Sequence, residues 1–510
     1  MKKKLIARLF TLVALVAMLA SCTKQSSEYT QVIPADASAV IAIHLQSLMD
    51  KSGVSDDDKQ KLADMLKGEL SAATFGHVEK IIKDGSTSGL SIKDPVYLFT
   101  SDLLSSPAVA MKVSDVDKLN KTFDVMASEQ ICDPVTKTDG YYLVRLSNRA
   151  ICTFNESALL ILEDRDSEKI ASDLMKQTLN ESIAQSSGFQ NLTKKKGDIA
   201  FFVTLDAVPN LYKSQIKKSL DTLEAVDLKD LGMVGALSFE KGKVSLHSKI
   251  VSDNKQVKEM LAKQNQIGSK LNETFLAYFP TSTLMYMSIN MDGEKLYDML
   301  QENKEFREEL SPDKAEKIKT VFSAFKGDVS AGLINVTMSD IPTFTVYAEA
   351  KSGAPLEALY EAKNSLGLRR SEDIIKLDKN EYVYESREMN VFFGYKDNYM
   401  YATNDELLYK NIDRKESKSL KDAVYASNMK GKRQYVVIDM KAILDLPVVK
   451  MLSAMGGGSA AASISAASNV SYFEIIGEDD NQTQINLWLV DRDTNALKQI
   501  VDLSKQYAGL

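Results

Sequence analysis

The chain of 510 residues is poor in the side chains from which most catalytic and metal sites are built, with three histidines and three cysteines. None of His44, His77 and His247 has a second histidine one helical turn away, and no CxxC pair occurs, so the familiar zinc-binding patterns are missing. There is no G-x-S-x-G elbow for a nucleophilic serine. The glycine cluster Gly456-Gly457-Gly458-Ser459 runs into alanines and serines with no strand before it, which removes the context of a phosphate loop. The segment 456–468 is therefore read as a mobile loop. The sequence supplies no catalytic residue, no metal ligand and no cofactor site.

A basic excess is also missing. Lys and Arg total 63 against 70 Asp and Glu, for a net charge of −7. Loss of the first 21 residues would remove Lys2, Lys3, Lys4 and Arg8 and take the charge to −11. That balance disfavours nucleic acid or anionic lipid as a partner. The run Lys194-Lys195-Lys196, followed by Gly197 and Asp198, is read as a solvated turn. Nor is there an apolar run of about 20 residues that would span a bilayer, because the stretch from Leu9 stops at Ala20.

What is present begins with that stretch. A basic start followed by a short apolar segment has the order of an export signal, and Leu19-Ala20-Ser21-Cys22 resembles the lipobox of bacterial lipoproteins. The resemblance implies cleavage between Ser21 and Cys22 and acylation of the Cys22 thiol. Two or three acyl chains, at about 0.8 kcal/mol per buried methylene, would hold the chain to a membrane. Thr23 stands where aspartate would imply retention at the inner membrane, so the same resemblance points to the outer membrane, with its face left open. The two remaining cysteines, Cys132 and Cys152, leave both a disulfide and two separate buried thiols open. Of the acidic runs, Asp56-Asp57-Asp58 follows Ser55 at a helix start and suits the helix dipole, and Glu478-Asp479-Asp480 fills a turn.

The main internal signal is a repeat displaced by about 235 to 246 residues. Ile33-Pro34 before a strand from Val40 matches Phe279-Pro280 before a strand from Leu284. Helices follow in each half, then a strand and helix at Ala108–Met126 and at Thr343–Ala362. The meander Tyr141–Leu162 corresponds to Tyr382–Ala402, and each half closes on a hairpin, Val234–Ile250 and Tyr472–Val490. His44 aligns with Asn290 and His247 with Asn486. The expectation is an α+β fold of two tandem repeated domains, each an antiparallel sheet with helices packed on one face. Its bounds are a signal peptide 1–21, a polar tether 22–32, a first domain 33–252, a linker 253–273 and a second domain 274–510.

The segment Ile33-Pro34-Ala35-Asp36-Ala37-Ser38-Ala39-Val40-Ile41-Ala42-Ile43, just downstream of a lipobox, resembles a family of Bacteroidetes lipoproteins classed as a domain of unknown function. So does the strand Tyr435–Met440. The resemblance implies an envelope location and a repeat, and brings no catalytic residues. One binding surface is expected from the second meander, where Tyr395, Tyr399 and Tyr401 would share an aromatic face for a sugar or protein. The function that follows is a non-enzymatic binding or structural module, membrane-held through lipid, with an envelope protein or glycan as partner. The alternative is a hydrolase of envelope or dietary polymers whose acid pair is dispersed in sequence.

Overall fold

The computed structural model describes residues 28–147, 149–207, 227–308, 312–337, 341–365, 367–455 and 463–508. Ser21, Cys22 and the residues before Glu28 lie outside them. The chain divides into two compact units, one holding the described residues up to 207, Asp227–Asp253 and those from Asp493, the other Asn254–Arg492.

The first unit opens with a short 3-10 helix, Glu28–Val32, which stops before Pro34. Its strands in chain order are β1 (Ala39–Ile43), β2 (Val96–Thr100), β3 (Ala108–Lys112), β4 (Thr136–Lys137), β5 (Tyr142–Arg145), β6 (Ala150–Phe154), β7 (Ala158–Glu163), β8 (Ile199–Thr204), β9 (Gly232–Glu240) and β10 (Lys243–Val251). In space they run β4-β5-β6-β7-β3-β2-β1-β8-β9-β10, and every neighbouring pair is antiparallel.

Helices cover both faces of this sheet, against the expectation of one. The reason lies in strands that are apolar at every position. Ile151 and Leu160 join Tyr29, Ile33, Leu174 and Phe189 in one cluster, while their chain neighbours Cys152 and Leu159 point the other way and pack with Leu119 and Phe123 of the helix Val116–Ser128. Cys132 and Cys152 are free and buried. Burial pushes the Cys132 thiol up to about 11, which suits packing rather than reactivity.

The helix Ala496–Ala508 also belongs to the first unit, packing on the helix Leu45–Ser52 and on β9 and β10. Asn495 Nδ2 donates to the Phe239 carbonyl at 3.0 Å, and Lys505 Nζ meets Asp58 at 2.8 Å. Asp58 closes a capping box with Ser55 at the start of the helix Asp56–Leu66. Lys505 first, and the Ser55 bonds second, hold its carboxyl well below the usual range.

The second unit begins with the helix Lys255–Gln264, capped by Asn254 and burying Val257 and Leu261, within the segment expected to be a linker. Its strands are β11 (Met285–Asp292), β12 (Phe325–Asn335), β13 (Thr343–Ala350), β14 (Asp373–Asp378), β15 (Glu381–Glu385), β16 (Asn390–Lys396), β17 (Tyr399–Thr403), β18 (Gln434–Asp439), β19 (Val470–Gly477) and β20 (Gln482–Leu489). Their spatial order is β14-β15-β16-β17-β13-β12-β11-β18-β19-β20, again wholly antiparallel. The turns Asp397-Asn398 and Asp480-Asn481 take positive φ, as tight hairpins require.

One face of this sheet is built from tyrosines. Tyr286, Tyr347, Tyr399, Tyr401, Tyr435 and Tyr472 pack with Phe275 and Phe279. The opposite face holds Ala350 and Met400 with Leu356 and Tyr395 packed against them. The class is thus α+β with antiparallel sheets. Of the loop expected at 456–468, residues 463–467 are helical.

Candidate functional site

Strand pairing and burial put several charged groups inside the sheets. In the first unit Asp198, fully buried just before β8, accepts from Lys51 Nζ at 2.8 Å, Ser47 Oγ at 2.5 Å and the Phe239 amide at 2.6 Å. Ser47 and Lys51 lie one turn apart on the helix Leu45–Ser52, so both reach the same carboxylate. The Ser47 proton is directed at an acid already matched by an ammonium, which leaves no free base to activate the hydroxyl. His44 precedes this helix; burial lowers its pKa and the nearby Asp198 charge opposes that.

In the second unit Glu474 is buried on β19 with four donors. Asn486 Nδ2 and Trp488 Nε1 each lie 2.7 Å from Oε1, while Tyr435 Oη and Asn428 Nδ2 lie 2.5 and 3.0 Å from Oε2. Asp328, fully buried on β12, accepts from Asn290 Nδ2 at 2.8 Å and from the Asn272 amide. Burial raises its pKa. Both acids are satisfied inside the sheet, so they fix packing and register rather than face a substrate.

Among the described residues each unit has a hollow open at the surface, and the two differ in charge. The first unit's, of about 500 Å³, has Tyr29, Tyr97 and Phe189 as an aromatic floor and Gln190, Thr193 and Lys194 at its rim. The second unit's, of about 570 Å³, is lined by Thr281, Ser282, Asp439, Lys441, Asp445 and apolar residues including Leu446. Asp439 caps the helix Met440–Asp445 through the Ala442 amide at 2.9 Å. Burial first, and the Asp445 charge among lesser causes, raise its pKa. Asp445 is itself paired with Lys450 at 3.1 Å. Sequence reasoning passed over Asp439 and Asp445, which stand apart from any acidic run; the strand-to-helix switch after Tyr435–Met440 was the available signal.

The aromatic face expected of Tyr395, Tyr399 and Tyr401 does not form. Tyr395 pairs with Met400, so Tyr399 and Tyr401, which flank Met400, point to the opposite face. They are 7% and 3% exposed within the tyrosine cluster. The Tyr395 hydroxyl donates to the Lys351 carbonyl at 3.2 Å. The histidines serve local packing: His77 Nε2 lies 3.0 Å from Thr122 Oγ1 and His247 Nε2 lies 3.1 Å from Ser245 Oγ. Among the described residues no cluster of three or more His, Cys, Asp or Glu is disposed to hold a metal ion, and no helix is long and apolar enough to cross a membrane.

Among solved structures, the chain is similar to the protein TP0453 in two crystal forms. Form IV is 12% identical over 44% of this chain and 83% of that one, with a TM-score of 0.24. Form III is 8% identical over 45% of this chain and 97% of that one, with a TM-score of 0.23. No curated protein matches. The model of one family, described as a domain of unknown function (DUF4836), matches residues 29–497.

Proposed function

The chain belongs to the DUF4836 family of domains of unknown function, and from that premise we propose a lipid-anchored, non-catalytic module of the cell envelope built from two tandem copies of one α+β domain. The observation that carries the repeat is a shared set of backbone bonds around two prolines. In the first unit Ala37 N donates to Pro34 O, Ile183 N to Ile33 O, and Thr204 N to Ser38 O. In the second Thr283 N donates to Pro280 O, Leu420 N to Phe279 O, and Asp439 N to Leu284 O. Pro34 bridges to Ser182 and Pro280 to Ser419 in the same way. The first copy lies within 33–252 and the second within 274–492, with the final helix outside the repeat.

The lipobox Leu19-Ala20-Ser21-Cys22 supports the anchor, and Thr23 after it, in place of the aspartate of inner-membrane retention, favours the outer membrane. A binding or structural role is supported by the way the buried acids Asp198, Asp328 and Glu474 are consumed in internal bonds, and the partner proposed is an envelope protein or glycan. The test is mass spectrometry of the mature N-terminus from native membranes with and without Cys22→Ala. A diacylated or triacylated Cys22 peptide, lost with soluble release in the variant, is expected. An unmodified Cys22 in membrane-bound protein overturns the anchor.

A second reading, a hydrolase, is favoured by one observation: Asp439 and Asp445 line a single hollow, and the Asp439 pKa is raised as a general acid requires. Release of soluble products from envelope polysaccharide by the wild type, abolished in Asp439→Asn, would establish it; equal inactivity of both proteins would dismiss it.

A further inference from the structure

We infer that the hollow of the first unit is a receptor for the phosphate of an anionic lipid headgroup. Its rim carries Lys194 as its only charged side chain, and none of its lining residues is acidic. Lys194 is the C-cap of the helix Ser187–Thr193, and the Lys195 amide bonds to the Leu192 carbonyl, so Lys194-Lys195-Lys196 leave the helix in a fixed turn.

The acid nearest in sequence does not neutralise that run. Asp198 is buried and committed to Lys51, and no ion pair joins Lys194, Lys195 or Lys196 to any described carboxylate. Lys194 at the cavity, followed in the chain by two further lysines without an ion pair among the described residues, makes an anion site in a chain whose net charge otherwise repels anions.

The cavity floor is rigid. The Tyr29 ring lies 5.7 Å from Tyr97 and Tyr97 lies 5.5 Å from Phe189, and the Tyr29 hydroxyl is tied to the Pro95 carbonyl at 2.9 Å. Gln185, Gln190 and Thr193 add amide and hydroxyl donors at the mouth, and a volume of about 500 Å³ accommodates a headgroup.

The source of the phosphate follows from chain length, and this step rests on the lipid-anchor reading. Tyr29 is seven residues beyond Cys22, and at no more than about 3.6 Å per residue the cavity lies within roughly 25 Å of the acylated sulfur. The anchor therefore lets the lysines reach the headgroup layer, where each would be worth about 1 kcal/mol of attraction to an anionic surface, a factor of about five in partitioning.

The experiment uses the mature full-length chain carrying Cys22→Ser, so that its outcome is independent of acylation. Its co-sedimentation is measured with vesicles of phosphatidylcholine alone and of phosphatidylcholine mixed with phosphatidylglycerol. Binding to the mixed vesicles only is expected, falling at least about tenfold in the triple variant Lys194→Gln, Lys195→Gln, Lys196→Gln. A similar fall is expected in Gln190→Trp, which fills the hollow and keeps the lysines. Equal binding to both vesicles, or an unaffected triple variant, overturns the proposal. Loss in the triple variant with full binding in Gln190→Trp also overturns it, since the attraction would then be diffuse. Inorganic phosphate is the second probe: saturable binding of it, seen by phosphorus NMR and lost in the triple variant, without vesicle binding would replace the lipid with a soluble phosphate. Failure of acylation at Cys22 would leave these results untouched and remove only the geometric argument.

Discussion

At the same register position the first unit buries Val234 and the second buries Glu474. Val234 faces Phe202 across β9 and β8, and Glu474 faces Val437 across β19 and β18. Farther along the same side of each sheet, Ala110 of β3 corresponds to Tyr347 of β13, and Leu160 of β7 to Tyr401 of β17. One strand order therefore supports an interior of mixed aliphatic and aromatic side chains in one unit and a tyrosine-rich, hydrogen-bonded one in the other. Charge is handled differently too. The first unit's buried acids carry lysine partners, Asp198 with Lys51 and Asp94 with Lys112 at 3.0 Å, whereas Glu474 and Asp328 are held by neutral donors. A shared backbone does not require a shared interior. It requires only that each buried group be matched where it lies.

Exchange of the two residues tests this most severely. Val234→Glu places a carboxylate among apolar side chains with no donors and should cost about 5 kcal/mol or more, read as loss of folded protein or of the denaturation transition. Tolerance of it would mean that the first unit has polar capacity the packing does not reveal. Glu474→Ala strands Tyr435, Asn428, Asn486 and Trp488 and should cost about 3 to 5 kcal/mol in a urea titration. Glu474→Gln, which keeps an acceptor, should lose less.

Lys505→Ala, a partly exposed pair with Asp58, should cost about 1 kcal/mol or less. Faster amide exchange confined to the helices Asp56–Leu66 and Ala496–Ala508 would show it. The pH response should separate the units without large global change. The Asp58 pKa is lowered on folding, so its contribution is complete above the unfolded value of about 3.9 and is lost as pH falls through the folded one. Asp328 and Asp439 are raised, so theirs is complete below that unfolded value and is lost as pH rises through the folded ones. Protection factors, which remove the intrinsic pH dependence of exchange, should rise around β12 and fall in the helix Asp56–Leu66 from pH 6 down to pH 3; equal trends in both places would break the contrast.

Much of the strand order could be read from hydrophobic alternation and turn residues, because β5 to β7 and β15 to β17 are bounded by polar tight turns such as Asp397-Asn398. β2 and β12 were missed. β12 contains Gly327, Ser330, Ala331 and Gly332 and has little apolar signal, since Phe279 crowds Gly332 and Glu349 crowds Gly327, where φ is also positive. β4 has two exposed residues and no pattern. The expectation of one covered face overlooked the runs Ile151–Phe154 and Ala158–Leu162, where apolar residues occupy both parities and signal burial on both sides. Pairing register decided what spacing alone left open: His247 stands opposite Ala236 and Gln484 opposite Ile476, so His247 corresponds to Gln484 rather than to Asn486. The sites were less legible, because Asp439, Asp445 and Lys194 meet their neighbours only through folding.

The helix Ala496–Ala508 gives the polypeptide an order of completion. Residues 254–492 of the second unit are synthesised before the last element of the first unit, so the surface on β9, β10 and the helix Leu45–Ser52 stays open until the final helix has followed the whole second unit out. A released chain truncated before Asp493 would thus carry the described residues of the second unit and an open first one. The end of synthesis, not its beginning, closes the part of the molecule nearest the N-terminus.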